Sequence, residues 1–351
     1  MKKLKTGIAD LPLHYGSCPK WLFSRMKKLG RAVSEIVINE FGKDEFLRRI
    51  ADPFWFQAFA CVLGFDWHSS GVTTTVTGAL KEGLGNDLGL AVLGGKGKAS
   101  RKTPEEIEKL ESVFSLSSSK IESLKYASRL AAKIDNNCIQ AGFTLYHHSF
   151  FVSDDGKWVV IQQGMNPEIH YARRYHWLSE KVKSFVVEPH LAICCDYKGK
   201  ALNMVAEESE DSRKASVDLL KENPNNLKKY LLLDKKHEID LKNYKPLMNA
   251  YEFQPKNYEE LIALKGLGAR SIRALALISK LVYGTEPSWR DPVKFSFSHG
   301  GKDGFPYPVD RKTYDKSIEI LKTSIENAKI GNKEKIYAIR RLQEFIPKGF
   351  Q

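Results

Sequence analysis

The sequence predicts an α+β fold with a helical N-terminal part, a small antiparallel β-containing middle and a helical C-terminal part. Apolar residues recur at helical spacing before residue 140, for example at Ile121, Leu124 and Ala127. Two strand-like runs, 143–152 and 158–163, then flank an Asp-Gly pair, which favours a tight hairpin. Helical periodicity returns after residue 212. These three observations predict strands between two helical regions.

We expect three segments along the chain. Residues 1–140 form a mainly helical N-terminal domain, residues 141–212 a β-rich central segment, and residues 213–351 a helical C-terminal domain with a helical pair at 258–282. In the first segment, the almost wholly apolar run 54–63 predicts a buried element. The glycine-rich run 94–98 lacks the spacing of a nucleotide-binding loop. Because it is rich in glycine and lysine, we interpret it as a flexible basic loop.

The bulk composition is that of an ordinary folded protein. The 351 residues are 42% hydrophobic and 28% charged, which is enough for two or three packed domains. No apolar run approaches the roughly 18–20 residues that a membrane span needs. The basic start, Met-Lys-Lys-Leu-Lys, is not followed by the apolar stretch of a signal peptide. We therefore expect a cytoplasmic protein.

The cysteines are odd in number and contain no CxxC pair, which argues against a disulfide framework and against a structural zinc site. They are Cys18, Cys61, Cys138, Cys194 and Cys195. We expect them to be buried thiols.

The charge balance favours a polyanionic partner. Lysine and arginine exceed aspartate and glutamate by 55 − 42 = 13 residues, and the pI is about 9.3. The excess is concentrated: residues 1–31 carry eight basic side chains and one acidic, and residues 265–302 carry seven and two. Clustered positive charge attracts nucleic acid and releases its counterions on binding. A generally lysine-rich surface is the alternative.

The segment 258–282 predicts one amphipathic helix that ends at Leu264 and a second that begins at about Ala269. It resembles helix-hairpin-helix motifs, in which the amides of the hairpin and of the second helix face a DNA phosphate. Two glycines let the backbone approach an anion closely, and first-turn amides need partners. The residues that the resemblance places at the DNA are Lys265, Gly266, Gly268, Ala269, Arg270, Ser271 and Arg273.

This segment departs from the family pattern at two positions. Lys265 stands where the family often has proline, and Ile272 where a small residue is common. A glycine-linked helical pair that only contributes to a core is therefore the alternative. Binding through phosphates would be largely independent of base sequence.

Helix-hairpin-helix DNA glycosylases carry a catalytic aspartate after a Gly/Pro-containing loop, and Asp291 stands in a similar place. It lies farther from the hairpin than that family requires, and Arg270 or Ser271 occupies the position of the lysine in bifunctional glycosylases. The strand-rich middle also differs from their all-helical fold. A capped turn at Asp291 is the alternative.

The strand-like hairpin carries the other candidate chemistry. Strand alternation predicts that His147 and His148 point to opposite faces. One of them could act with Gln163, Asp66, His68 or Asp196 as a base, an acid or a metal ligand. A nuclease dependent on Mg²⁺ or Mn²⁺ would also need carboxylates, and the sequence shows no spaced pair. Structural histidines are the alternative.

The run 295–310 interleaves aromatic residues and glycines with His299 and Lys302. Aromatic faces stack on unpaired bases, so this loop is a candidate nucleic-acid contact. An ordered loop packed on the helical domain is the alternative.

Four segments together resemble an archaeal and bacterial family, the domain-of-unknown-function 763 family. They are residues 6–16, residues 64–71, the hairpin at His147 and His148, and residues 295–309. The resemblance implies that the strand hairpin and the helical pair belong to one architecture. It implies nothing about an activity.

We therefore expect a DNA-processing enzyme, either a nuclease or a DNA-repair hydrolase, that holds the phosphate backbone of single- or double-stranded DNA without base-sequence preference. Mg²⁺ or Mn²⁺ is the expected cofactor of such a nuclease. The alternatives are a non-catalytic DNA- or RNA-binding module and a monofunctional glycosylase that uses Asp291.

Overall fold

The computed structural model describes residues 18–64, 70–227, 244–293, 311–328 and 330–345. Within these ranges the helices are α1 (Lys20–Phe41), α2 (Lys43–Ala51), α3 (Pro53–Val62), α4 (Gly71–Gly83), α5 (Lys98–Arg101), α6 (Thr103–Glu108), α7 (Leu110–Phe114), α8 (Ser118–Lys133), α9 (Glu210–Asp218), α10 (Lys245–Phe253), α11 (Tyr258–Ala263), α12 (Ala269–Tyr283), α13 (Arg311–Asn327) and α14 (Asn332–Phe345). The strands are β1 (Leu90–Lys96), β2 (Ile139–Gln140), β3 (Thr144–Ser153), β4 (Trp158–Asn166), β5 (Tyr171–Leu178), β6 (Ala192–Cys194), β7 (Lys200–Asn203) and β8 (Ser288–Arg290). The predicted α+β class is confirmed.

A five-stranded antiparallel sheet in the order β1-β3-β4-β5-β6, which we call the large sheet, forms the centre of the fold. The predicted hairpin joins β3 to β4, and the Ser153 amide closes its turn by donating to the Lys157 carbonyl at 2.9 Å. Phe150 packs into the core on one side of this sheet and Phe151 into the core on the other. Each face of the large sheet is therefore buried.

Two helical layers cover the large sheet. Helices α1–α4, α13 and α14 contribute the buried residues on the Phe151 side. Helices α6–α12 contribute the buried residues on the Phe150 side. Burial on both faces explains why β3 and β4 are more apolar than a strand with one solvated face.

Strand β1 is the clearest difference from the sequence-based interpretation. A flexible loop is predicted at 94–98, but Gly94 and Lys96 pair with Ser149 and His147 as the last part of β1. A Cβ atom at Gly94 would lie 2.2 Å from the His148 carbonyl oxygen, and the φ angle of Gly94 is +80°. The glycine that favours a loop in the sequence is therefore needed for close strand pairing.

Helix α3 confirms the predicted buried element. Nine of its residues are buried, and its Pro53 occupies the first turn, where a missing amide costs no hydrogen bond. The Asp52 carboxylate caps it by accepting from the Trp55 amide at 2.7 Å.

A small sheet in the order β2-β7-β8 lies beside the start of α12. The Gln140 side chain in β2 donates from Nε2 to the Ala269 carbonyl at 2.8 Å. Lys133 at the end of α8 donates to the carbonyls of Ile262, Ala263 and Leu264 at 2.9, 2.9 and 2.5 Å. These bonds satisfy the orphan carbonyls of α11 and hold the connection between α11 and α12 in place. None of the described helices is long and apolar enough to cross a membrane.

Candidate nucleic-acid interface

The connection between α11 and α12, residues 264–268, forms a tight turn that we call the helical hairpin. Helix α11 ends at Ala263, one residue before the predicted Leu264, and α12 begins at the predicted Ala269. Gly266 has a φ angle of +88°, which favours glycine. Leu267, which is 3% exposed, anchors the turn in the core, while Lys265 and Gly266 are exposed. The helical hairpin therefore presents backbone, rather than apolar side chains, to solvent.

The N-terminus of α12 is open. Its N-cap is Gly268, and no side chain caps this 15-residue helix. A Cβ atom at Gly268 would have no neighbouring heavy atom within 4 Å. First-turn amides carry the positive end of the helix dipole and need an acceptor. The free space at Gly268 gives an anionic acceptor access to them.

Basic side chains surround this helix end. Lys265 and Arg270 are exposed on either side of Gly268. Arg273, one turn further along α12, lies over the Trp289 ring with 5.4 Å between its guanidinium carbon and the ring centroid. Cations therefore flank the first turn of α12 along the chain, and clustered positive charge attracts phosphate.

Two of the residues predicted to lie at the DNA are less exposed than Lys265 and Arg270. Ser271 is 5% exposed, and Ala269 is half-buried with its carbonyl accepting from Gln140. The structure therefore brings the Ser271 side chain to the core, whereas the amides of these two residues belong to the open first turn of α12.

Asp291 lies in the interior. Its Oδ2 atom accepts from Arg173 Nη2 at 2.7 Å and from the Gly199 amide at 3.1 Å. Its Oδ1 atom accepts from the Val293 amide at 3.2 Å. The side chains of Arg173 and Asp291 are both fully buried. Each oxygen of this carboxylate is thus already committed to a partner within the protein.

His147 belongs to a polar cluster between β3 and α4. Its Nε2 atom lies 3.0 Å from Thr77 Oγ1 and 2.9 Å from Ser149 Oγ. Burial lowers the pKa of His147 to about 3, and the nearby His148 and Lys96 lower it further. At neutral pH His147 is therefore an uncharged hydrogen-bonding group inside the protein.

Gln163 lies in the same layer. Its Nε2 atom donates to the Ser70 carbonyl at 2.7 Å and to the Tyr146 hydroxyl, and its Oε1 atom accepts from the Thr73 hydroxyl. All its polar atoms bond within the protein. The structure thus brings Gln163 near α4 together with its register partner His147.

His148 points to the other face, as strand alternation predicts. A chain of hydrogen bonds runs from Ser128 through His148 and Gln162 to Asp135 and His190. Gln162 Oε1 lies 2.9 Å from His148 Nδ1, and Gln162 Nε2 donates to Asp135 Oδ2 at 2.5 Å. Burial lowers the pKa of His148 to about 4, while the bond to Gln162 opposes this shift. His148 is therefore also neutral at pH 7.

Asp135 and His190 are functional candidates that the sequence-based interpretation missed. Asp135 Oδ1 lies 2.5 Å from His190 Nε2, and Asp135 Oδ2 also accepts from Trp177 Nε1 at 3.0 Å. Burial raises the pKa of Asp135, whereas His190, Trp177 and Gln162 act in the opposite direction. His190 also lines a cavity of about 20 Å³, which is room for one water molecule.

A signal for Asp135 was present in the sequence. It adjoins Ile134 on the apolar face that Ala131 and Cys138 define, and an acidic residue there must have buried partners. In the structure Asp135 lies in a π-helical turn, Ile134–Cys138, a distortion that is frequent at functional sites.

The family model described as "Protein of unknown function (DUF763)" matches residues 7–309. The chain belongs to this family. Searches of curated proteins and of solved structures give no significant match. The DUF763 match spans both the β3–β4 hairpin and the helical hairpin, so the two predicted sites lie within one family unit.

The remaining predicted residues of this DUF763 chain lie outside the described residues. They are Asp66, His68, His299 and Lys302. In the part of the chain that the structure describes, no group of three or more His, Cys, Asp or Glu residues is placed to hold a metal ion. None of the cysteines in that part forms a disulfide, and Cys61, Cys138, Cys194 and Cys195 are buried as expected, while Cys18 is half-buried.

Proposed function

We propose that this protein binds DNA through the phosphate backbone, at the helical hairpin and the first turn of α12, without preference for base sequence. The observation that carries this proposal is the uncapped helix end at Gly268, which opens into free space between the exposed Lys265 and Arg270. A phosphate oxygen there would accept from backbone amides and pair with both cations.

The surrounding contacts support this proposal, because they hold the site rigid before DNA arrives. Lys133 bonds to the carbonyls of the last two residues of α11 and of Leu264, and Leu267 anchors the turn in the core. A preformed site avoids the ordering cost that a mobile loop would incur on binding.

The binding test is fluorescence anisotropy with two labelled duplexes of equal length and unrelated sequence, titrated over a range of salt concentrations. We expect equal affinities for the two duplexes and a linear decrease of log K with log salt concentration. Lys265→Ala should weaken the binding of both duplexes equally. It should also reduce the steepness of the plot of log K against log salt concentration by about 1. The matched control is Lys109→Ala, an exposed lysine between α6 and α7. A strong preference for one duplex, or equal effects of the two substitutions, would contradict the proposal.

Hydrolytic processing of the bound DNA, as a nuclease or repair hydrolase, is the second candidate function. The observation that favours it is the Asp135–His190 pair beside a water-sized cavity. With Nε2 of His190 directed at the carboxylate, Nδ1 is the atom that would accept a proton from an attacking water.

The hydrolytic candidate is tested by incubating labelled single-stranded and duplex DNA with Mg²⁺, with Mn²⁺ and without metal. The enzyme hypothesis expects strand cleavage or base excision that His190→Gln abolishes while DNA affinity is unchanged. Intact DNA under all three conditions, together with salt-dependent binding, would contradict the enzyme hypothesis and support a non-catalytic binding module.

A further inference from the structure

An aromatic surface lies next to the helical hairpin and has no part in the phosphate site. Tyr197 is 40% exposed, and its ring stacks on Tyr171 with 6.3 Å between the centroids and an interplanar angle of 27°. Trp289 in β8 is half-buried. We call Tyr171, Tyr197 and Trp289 the aromatic face.

Backbone contacts hold the members of the aromatic face together. The Tyr197 ring folds over Gly199, where a Cβ atom would lie 2.9 Å from the ring. The Gly199 amide donates to Asp291, two residues after Trp289. Lys200 pairs in register with Arg290, the residue next to Trp289. Tyr197 and Trp289 therefore lie at the same end of the small sheet.

Cations flank these rings. The Lys200 ammonium lies 4.8 Å from the centroid of the Trp289 ring, and Arg273 lies over the same ring. Lys198 and Lys200 are exposed. Arg290 is paired with Glu208, so its charge is already balanced within the protein. Aromatic rings among cations are the combination that binds single-stranded nucleic acid, because bases stack on rings and cations neutralise the backbone.

The aromatic face is continuous with the helical hairpin. Arg273 belongs to the second turn of α12, and Gln140, which bonds to the Ala269 carbonyl, pairs in register with Leu202 of β7. A DNA strand held at the first turn of α12 thus has cations and the exposed ring of Tyr197 at the adjoining small sheet.

We infer that the aromatic face binds unpaired bases of a single-stranded DNA segment whose backbone is held at the helical hairpin. This inference rests on the proposed function and specifies its substrate as DNA with a single-stranded part. The duplex has its bases stacked inside, so it uses the helical hairpin alone.

The test compares three probes by fluorescence anisotropy: an oligothymidine, the same strand with abasic residues in place of its nucleotides, and a duplex. The first two carry equal backbone charge, so a difference between them reports base stacking. We expect the wild type to bind oligothymidine about tenfold more tightly than the abasic strand, which corresponds to about 1.4 kcal/mol.

Tyr197→Ala should remove most of that preference and leave duplex affinity unchanged, whereas Tyr197→Phe should retain it because the ring remains. The matched control is Tyr337→Ala. Tyr337 is 46% exposed and belongs to α14, in the other helical layer. Thermal unfolding of each variant checks the fold.

The outcomes separate the two proposals. If the wild type binds oligothymidine and the abasic strand with equal affinity and still binds duplex in a salt-dependent way, base binding at the aromatic face is overturned. Phosphate binding at the helical hairpin is then retained. A preference for bases without any duplex binding overturns the helical hairpin as a phosphate site. An equal loss of preference in Tyr197→Ala and Tyr337→Ala also contradicts the inference.

Discussion

Gly266 and Gly268 lie two residues apart, and a methyl group would affect them differently. Gly266 has a φ angle of +88°, where an L side chain is strained. Gly268 has a φ angle of −117° and no neighbour within 4 Å of an added Cβ atom. The fold therefore requires glycine at Gly266, whereas at Gly268 glycine leaves space that the protein itself does not occupy.

We predict that Gly268→Ala weakens DNA binding by about tenfold, because the methyl group takes the space that a phosphate would enter. The free energy of unfolding should change by no more than about 0.5 kcal/mol. Gly266→Ala is the comparison and should lower the free energy of unfolding by about 1 kcal/mol. Anisotropy titrations and urea unfolding measure both effects, and full DNA affinity of Gly268→Ala would count against the phosphate site.

Asp291 shows how a residue type in a suggestive position can have a structural function. Its carboxylate accepts three hydrogen bonds, one of them from the fully buried Arg173. Removal of one partner leaves an unpaired buried charge, which costs several kcal/mol.

We predict that Asp291→Asn lowers the free energy of unfolding by about 3 kcal/mol, because Arg173 loses its counter-ion. Urea unfolding monitored by circular dichroism measures this loss. The control is Glu286→Gln, which breaks a surface pair with Lys280 and should cost less than about 1 kcal/mol. A fully stable Asp291→Asn protein that has lost base excision would instead support the glycosylase alternative.

At the scale of elements, the β3–β4 hairpin carries polar residues on both of its buried faces. His147 bonds to Thr77 of α4, and His148 bonds to Ser128 of α8. Local alternation predicts the opposite orientation of the two histidines. It does not identify their partners, which come from helices 70 and 20 residues away in sequence.

We predict that stability falls as the pH is lowered from about 6.5 towards 4. The pKa values of His147 and His148 are lowered to about 3 and about 4 in the folded state. In this window the unfolded chain binds protons that the folded chain does not, so stability decreases with falling pH. Each histidine should contribute about 2 kcal/mol between pH 7 and pH 5.

Urea unfolding at pH 7 and at pH 5 measures this effect. His148→Gln should reduce the difference between the two pH values. His170→Asn, at an exposed histidine with positive φ, should leave the difference unchanged. A wild-type stability that is equal at both pH values would show that these histidines are not held neutral by burial.

The elements themselves could largely be predicted, because each depends on local signals. The Asp-Gly turn after β3, the apolar α3 and the glycine-linked α11 and α12 all lie where periodicity and turn residues indicate. Strand β1 could not be predicted. Its Gly94 takes part in a long-range pairing with β3, and a single glycine-rich segment does not distinguish such a pairing from a loop.

At the scale of the whole molecule, the fold contains two kinds of polar residue, one buried and one exposed. The buried networks around His147, His148 and Asp135 lie inside the layers, whereas Lys265 and Arg270 lie on the surface with the open end of α12. The sequence contains both kinds, but periodicity alone does not show that Asp135 meets His190 or that Arg173 meets Asp291. Those contacts depend on how distant elements pack around the large sheet.

The measurement that tests the phosphate site most directly is amide hydrogen exchange of the protein, free and bound to a short duplex, resolved by mass spectrometry of peptides. We predict that DNA slows exchange in residues 264–271, where backbone amides would donate to phosphate. Exchange within α4, which packs on the opposite face of the large sheet, should be unchanged. Unaltered exchange in residues 264–271 at saturating DNA, with slowed exchange elsewhere, would show that DNA binds at another surface.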